Sequence, residues 1–92
     1  MAKLDSDFVR SELESTSWTQ EGETIVLNQQ FSGFEEAIQY VNRVAGLAEV
    51  ADHHPDSLVH EWNKVRVTCW THREGGVTEA DIKLARQIDE LA

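Results

Sequence analysis

The chain has 92 residues, of which 17 are acidic and 8 are basic, so its formal net charge at pH 7 is −9. This length fits one domain, and the negative charge argues against direct binding to nucleic acid or to an anionic membrane, because both need a basic surface. The one cysteine excludes an intramolecular disulfide and a cysteine-rich zinc module, and no apolar run is long enough to span a bilayer. We therefore expect a single domain over residues 1–92 that works in the cytoplasm.

The first third of the chain predicts a short helix and a hairpin. Asp5 to Ser15 begins with a capping residue and has apolar side chains at helical spacing. Two β-prone runs, Trp18 to Gln20 and Thr24 to Phe31, then flank a turn that contains Gly22. One parity of the second run is apolar and is predicted to be buried: Ile25, Leu27 and Phe31.

The strongest helical pattern runs from about Gly33 to Val50. Ser32 and Glu35 have the spacing of a capping box, which predicts that the helix begins here. The apolar side chains that recur at helical intervals down one face are Phe34, Ala37, Ile38, Val41, Val44, Ala45 and Ala48.

Two further strands and a last helix complete the chain. Ser57 to Trp62 and Lys64 to His72 are β-prone, with Asn63 near the turn between them. The second run alternates cleanly, and its predicted core face comprises Val65, Val67, Cys69 and Thr71. After a Gly-Gly break, Thr78 opens a helix whose apolar stripe comprises Ile82, Ala85, Ile88 and Ala92.

The predicted element order is therefore α-β-β-α-β-β-α. Hairpins joined by a helix favour an α+β fold, in which an antiparallel sheet carries its helices on one face. Such a sheet leaves its edge strands unpaired, and edges of this kind are candidates for pairing between subunits. A small core and open edges together favour a homo-oligomer.

Three histidines in or next to predicted loops are the side chains best suited to chemistry. Histidine exchanges a proton near neutral pH, and the adjacent pair His53 and His54 can supply an acid and a base together, since each disfavours the other's charge. Pro55 biases His54 to an extended backbone and so gives the pair a defined presentation. His72 lies at a strand end before a glycine turn, where active-site loops commonly occur. The alternative for all three is an exposed position without a function.

The remaining candidates favour packing or capping over chemistry. Asp81 can cap the amides near Thr78, or it can orient a ligand or a histidine. Cys69 shares the parity of the buried strand face, so we expect it to behave as a small apolar group and not as a nucleophile. No metal site is predicted, because the four histidines form no i, i+4 pair on a helix and no His-x-His pair on a strand. The tryptophans, which either pack in the core or stack on a flat heterocycle, are Trp18, Trp62 and Trp70.

Several motifs along the chain form one combined pattern. They are the run from Ala48 to Pro55, the run from Trp62 to Val67, the pair Thr71-His72, and Gly76 to Glu79 followed by Asp81. Together with Trp18 and the helix that follows Phe31, this combination resembles the pterin-4a-carbinolamine dehydratase family over nearly the whole chain. The resemblance implies a four-stranded antiparallel sheet with three helices packed on one face, which agrees with the α+β fold derived above.

The resemblance also implies an activity, the dehydration of 4a-hydroxytetrahydropterin to quinonoid dihydropterin during tetrahydropterin recycling. His53 and His72 would then be alternative general acids on opposite faces of the ring, while His54 would bind pterin and transfer the complementary proton. The implied substrate-binding residues are Glu49, Asp52, Asp81 and Trp62. This chemistry uses no cofactor and no metal.

The chain departs from the family pattern near the expected site. Val50 stands where lysine is common and Ala80 where arginine is common, so each substitution removes a positive charge. The segment between Pro55 and Asn63 is one residue longer than usual, which predicts either a bulge at the site entrance or a longer loop.

A second hypothesis is a noncatalytic binding protein on the same scaffold, either a transcription-factor dimerisation partner or an assembly chaperone for RuBisCO. A protein used only for binding has no chemical need for His53, His54 and His72 together, so their joint presence favours catalysis. We expect a homodimer or homotetramer that acts on a pterin substrate. A protein partner would be an additional role, and neither nucleic acid nor membrane is expected as a direct ligand.

Overall fold

The computed structural model describes residues 2–91 and confirms the predicted α+β class and element order. Three α-helices are present in this range: α1 (Ser6–Glu12), α2 (Phe34–Ala51) and α3 (Glu79–Asp89). The four strands are β1 (Thr19–Glu21), β2 (Thr24–Gln30), β3 (Asp56–His60) and β4 (Lys64–Cys69). A short 3₁₀ helix, η1 (His72–Glu74), lies between β4 and α3.

The strands form one antiparallel sheet in the order β1-β2-β4-β3. The two central strands, β2 and β4, pair along the whole length of β4, with Leu27 opposite Val67 and Ile25 opposite Cys69. Strands β1 and β3 are the edges. The site-bearing end of β4 is therefore fixed by hydrogen bonds on both sides of the strand.

All three α-helices contribute to one core on a single face of the sheet. Strand β4 alternates as predicted, since Val65, Val67 and Cys69 are buried while the residues between them are partly exposed. The helical side chains that pack in the same core include Val9, Leu13, Tyr40, Val44, Ile82, Leu84 and Ile88. The burial of these apolar groups is the main force that holds the helices on the sheet.

Both strands of the second hairpin are shorter than predicted. Strand β3 ends at His60 and not at Trp62, because Glu61 and Trp62 adopt left-handed backbone conformations with φ of 49° and 58° and turn the chain back. Strand β4 ends at Cys69 and not at His72, because Thr71 pairs with Gly76 and the chain between them closes into η1.

The beginning of α2 also differs from the prediction. Gly33 is the N-cap and no side chain caps the helix, so the capping box between Ser32 and Glu35 does not form. Phe34, predicted to lie on the buried face, is 56% exposed, whereas Tyr40, which was not predicted on that face, is buried. The first helix is shorter than predicted as well, since it ends at Glu12. Within residues 2–91, none of the helices has both the length and the apolar character needed to cross a bilayer.

The position of the core predicts a large loss of stability for one leucine substitution and almost none for another. Leu84 is fully buried on α3, so Leu84→Ala is expected to lower the free energy of unfolding by about 2–5 kcal/mol through lost burial and a cavity. Leu58 is 54% exposed on β3, so Leu58→Ala is expected to change it by no more than about 0.5 kcal/mol. Urea unfolding measures both, and equal losses would contradict the placement of Leu84 in the core and of Leu58 outside it.

Candidate functional site

The C-terminal end of α2 determines where the two adjacent histidines lie. Asp52 adopts a left-handed conformation with φ of 51°, and the backbone N–H of His53 donates to the carbonyl of Ala48 at 3.1 Å. These features end the helix sharply. Pro55 then leads into β3, so His53 and His54 occupy a short connection that is fixed at both ends.

His53 is held by a carboxylate from α3. Its Nε2 lies 2.5 Å from Oδ1 of Asp81, which is the third residue of α3 and is fully buried. The His53 side chain itself is only 17% exposed. Since the carboxylate accepts from Nε2–H, the nitrogen left for other partners is Nδ1.

Asp81 receives hydrogen bonds from several parts of the chain. The backbone N–H of Thr78 and the hydroxyl of Thr71 each donate to Oδ2 at 2.8 Å, and the thiol of Cys69 donates to Oδ1 at 3.0 Å. Burial by itself raises the pKa of Asp81, but the hydrogen bonds from His53, Thr78, Cys69 and Thr71 outweigh it and hold the pKa below its usual value. The carboxylate is therefore ionised at neutral pH although it is buried.

Asp81 combines the two roles that the sequence left open. Its side chain accepts from the Thr78 backbone, and the Thr78 side chain accepts from the Asp81 backbone, which completes a capping box at the start of α3. The same carboxylate orients His53 through its other oxygen. The Asp81 carboxylate thus caps α3 and orients His53 at the same time.

His54 and His72 have different surroundings. Nε2 of His54 lies 2.9 Å from Oε2 of Glu49, one turn back on α2, and this pair is exposed to solvent. His72 packs on Trp70, with ring centroids 4.2 Å apart and an angle of 35° between the planes. The aromatic contact restrains the orientation of the His72 ring.

One cleft brings the three histidines together. It has a volume of about 380 Å³ and is lined by Asp52, His53, His54, Trp70, Thr71, His72 and Arg73. An aromatic side chain, three imidazoles and a guanidinium group on one surface can bind a flat polar ring and move protons to and from it.

The predicted substrate-binding residues are not all in this cleft. Asp52 lines it, Asp81 lies beneath His53, and Glu49 contacts His54 from α2. Trp62 lies at the turn between β3 and β4, whereas the cleft is formed at the opposite end of β4. The structure therefore does not bring Trp62 to the histidines of its own chain, and its role in substrate binding stays a prediction.

A metal ion has one candidate group of ligands among the described residues. Nε2 of His53, Sγ of Cys69 and a carboxylate oxygen of Asp81 all lie within 4.8 Å of one another. Hydrogen bonds already join these atoms, so the carboxylate has partners without an ion. Local spacing could not reveal this group, because its members come from three separate elements.

Comparison with known proteins identifies the family. A sequence model described as Pterin 4 alpha carbinolamine dehydratase matches residues 2–91. The chain belongs to this family. The histidine cleft and the matching motifs thus lie in a dehydratase-family domain that covers nearly the whole sequence.

Individual relatives agree with this assignment. A protein of Thermomicrobium roseum named "Putative pterin-4-alpha-carbinolamine dehydratase" is 46% identical over 100% of this chain and 99% of its own length. A transcriptional coactivator/pterin dehydratase from Brucella melitensis has a crystal structure with a TM-score of 0.89 and 34% identity, and the match covers 98% of each chain. A pterin dehydratase-like protein identified as a RuBisCO assembly factor has a TM-score of 0.64 at 18% identity, with 88% of this chain and 93% of that chain covered, and shares the fold.

The two departures from the dehydratase pattern lie on the far side of His53. Val50 and Ala80 both line a groove of about 370 Å³ that also contacts His53. Lys83, one turn after Ala80 on α3, lines the same groove. This lysine provides a positive charge in the groove that Val50 and Ala80 line.

Sequence reasoning missed some residues that form the site. Cys69 was expected only to pack in the core, yet its thiol contacts the Asp81 carboxylate. Arg73 carried no prediction and lines the cleft beside His72. The signal for Thr71 was present in the strand alternation, which placed it with Cys69 on the predicted core face.

The buried carboxylate predicts a loss of stability for Asp81→Asn. The amide group replaces one carboxylate oxygen, an acceptor, with an NH₂ group, a donor. Buried groups that donate to Asp81 then lose their partner, so we expect the free energy of unfolding at neutral pH to fall by about 1–3 kcal/mol.

The loss of stability caused by Asp81→Asn should become smaller as the pH falls. The pKa of Asp81 is lowered in the folded protein, so the carboxylate stabilises the fold above the ordinary carboxyl pKa of about 3.9, and this contribution is lost as the pH falls through the folded pKa. The difference between wild type and Asp81→Asn should therefore shrink in acid, as measured by urea unfolding across the acidic range. A constant difference would contradict the assigned role of the carboxylate.

Proposed function

We propose that this chain dehydrates 4a-hydroxytetrahydropterin to quinonoid dihydropterin, as part of tetrahydropterin recycling in the cytoplasm. The observation that supports this proposal most strongly is the meeting of His53, His54 and His72 at one cleft, with the ionised Asp81 carboxylate behind His53. Membership of the dehydratase family supplies the substrate class.

The reaction consists of two proton transfers and the cleavage of one carbon–oxygen bond. An acid donates a proton to the hydroxyl on carbon 4a, the carbon–oxygen bond breaks with its electron pair leaving on water, and a base removes a proton from a ring nitrogen. Positioned acids and bases typically accelerate such transfers by about 10²–10⁴. The proposed site supplies both from its imidazoles.

The hydrogen bond to Asp81 suits His53 to the role of acid. It engages Nε2 and leaves Nδ1 as the nitrogen that can give a proton to a substrate in the cleft that His53 lines. His72 is the alternative acid on the other face of the ring, where Trp70 restrains it. His54, whose Nε2 is engaged by Glu49, binds the pterin and takes the complementary proton through Nδ1.

Acidic groups near the cleft suit the donor edge of a pterin. The ring carries amino and N–H donors, and a carboxylate is their preferred acceptor. We assign this role to Asp52, which lines the cleft, and to Glu49, which adjoins it through His54. The proposed steps are proton transfers that side chains can perform, so the mechanism requires neither a cofactor nor a metal.

Histidine substitutions test the catalytic proposal. His53→Ala and His54→Ala are each expected to reduce carbinolamine dehydration by at least about tenfold, because each removes a proton carrier. The assay generates the carbinolamine with an aromatic amino acid hydroxylase and follows the appearance of quinonoid dihydropterin.

His60→Ala is the matched control for these variants. His60 is partly exposed at the end of β3, where its Nδ1 lies 3.3 Å from Glu61, and it does not line the histidine cleft. Its substitution should leave the rate unchanged. Failure of the wild-type protein to accelerate the reaction at neutral pH would refute the enzyme proposal.

A binding role is the second candidate, and exposed aromatic side chains favour it. Phe34 is 56% exposed and Trp62 is 61% exposed. Both lie near the beginning of α2, since the Trp62 ring is 3.9 Å from the point where a side chain on Gly33 would begin. Such side chains are enriched at protein interfaces. The Brucella melitensis relative is itself described as both a coactivator and a dehydratase.

We also propose that the working unit is a homodimer or a homotetramer. The edge strands β1 and β3 and the exposed Phe34 and Trp62 offer surfaces for a second copy. Sedimentation velocity at micromolar concentration should therefore show a species larger than one chain, and Trp62→Lys should shift it toward the monomer. A monomer alone in the wild-type protein would contradict this proposal.

A further inference from the structure

We propose that Cys69 is a positioning residue for His53, and that it acts by donating its thiol hydrogen to the carboxylate that orients the histidine. Its catalytic meaning rests on the proposed function. The contact itself is a property of the folded chain that can be measured without any substrate.

The geometry places two groups, the Cys69 thiol and the His53 ring, against a single oxygen atom of Asp81. Oδ1 of Asp81 accepts from the Cys69 thiol at 3.0 Å and lies 2.5 Å from Nε2 of His53. The other oxygen, Oδ2, accepts from Thr71 and Thr78. Cys69 is thus the second donor to the oxygen atom that His53 contacts.

The thiol is suited to donating and not to reacting. Cys69 is 1% exposed, and burial together with the neighbouring Asp81 charge raises the pKa of its thiol far above neutral. It therefore keeps its hydrogen over the whole physiological range. A thiol in this state is a poor nucleophile but remains a donor to a carboxylate.

Packing alone does not explain a polar contact at this position. The preceding core residues of β4 on the same face are Val65 and Val67, and both fill the core without any polar atom. Cys69 fills its site and in addition meets a buried carboxylate, a group that is costly to bury without donors. Its contribution can therefore be separated from packing by a valine at the same position.

Removal of the thiol has two predicted consequences. Oδ1 loses a donor, so the Asp81 carboxylate becomes more basic and its pKa moves back toward the ordinary range. The position of Oδ1 is also defined by fewer contacts, so the His53 ring that depends on it becomes less well oriented. The other charged or titratable groups on elements around His53 stay in place: Asp52, His54, His72, Arg73, Glu74, Glu79 and Lys83.

Three variants of the full chain separate the donor from the packing. Cys69→Val keeps an apolar group of similar size without a donor, Cys69→Ala removes both, and Cys69→Ser keeps a donor. Two readouts need no substrate: the carbon-13 titration of the Asp81 carboxyl and the nitrogen-15 spectrum of the His53 ring. Urea unfolding is the control that checks whether each variant is folded under the conditions used.

The expected results depend on whether residue 69 carries a hydrogen-bond donor and not on the volume of its side chain. Cys69→Val and Cys69→Ala should both raise the pKa of Asp81 and alter the His53 nitrogen resonances, whereas Cys69→Ser should restore values near those of the wild type. In the dehydration assay, the two variants without a donor should lose roughly three- to tenfold in kcat with little change in KM, the size expected for the loss of one ordinary hydrogen bond.

The outcomes also distinguish this inference from the proposed function. If Cys69→Val titrates at Asp81 like the wild type, the thiol does not support the carboxylate and the inference is overturned, whatever the activity. If the wild type lacks dehydratase activity but the variants shift Asp81 and His53 as expected, the positioning role stands and the proposed reaction fails. If the spectra shift while kcat stays unchanged in an active enzyme, the thiol does not position His53 for catalysis.

Discussion

The buried carboxylate of Asp81 is the interaction on which the rest of the site depends. It accepts from the end of β4 through Cys69, from the following segment through Thr71, from the beginning of α3 through Thr78, and from the α2–β3 connection through His53. An ionised group in the core is tolerated only when its hydrogen-bonding capacity is met, and here four parts of the chain meet it. The same contacts fix those four parts relative to one another.

Adjacent positions in the sequence acquire different chemistry from this arrangement. His53 is mostly buried and bound to a carboxylate in the core, while His54 is 59% exposed and bound to a carboxylate on the surface. Two imidazoles that are equivalent by residue type are thereby given different solvation and different partners. Under the proposed function, these different surroundings would suit the two imidazoles to different proton-transfer roles.

Regular patterns in the sequence predicted the parts of the molecule that depend on regular burial. The alternation of β4 correctly placed Val65, Val67 and Cys69 in the core, and helical spacing found α2 and α3. Patterns failed where a local conformation decides the outcome, as at Gly33, whose helix begins without a side-chain cap, and at Glu61 and Trp62, whose left-handed backbone ends β3 early. Periodicity reports which face a residue occupies and carries no information about such turns.

The same limit applies to the site: the sequence identifies candidate residues but not which of them contact one another in the fold. The histidines and Asp81 could be singled out from residue type and spacing, but His53 and Asp81 are 28 positions apart, and nothing in the local sequence pairs them. Cys69 was correctly placed in the core, and that placement concealed its polar contact, because strand parity cannot say what lies opposite a side chain. The cleft exists only because the end of α2 and the end of β4 converge in the folded chain.

The two roles of Asp81 restrict which amino-acid substitutions can be accepted at this position during evolution. Its carboxylate closes the first turn of α3 and also supports a proposed proton carrier, so a substitution there weakens the fold and the site in one step. A lineage that lost the need for dehydration would still be held to an acidic residue at this position by stability. His54 and His72 have no such structural duty among the described contacts and would be free to drift. The persistence of an aspartate here would then be a poor marker of activity, and the exposed histidines a better one.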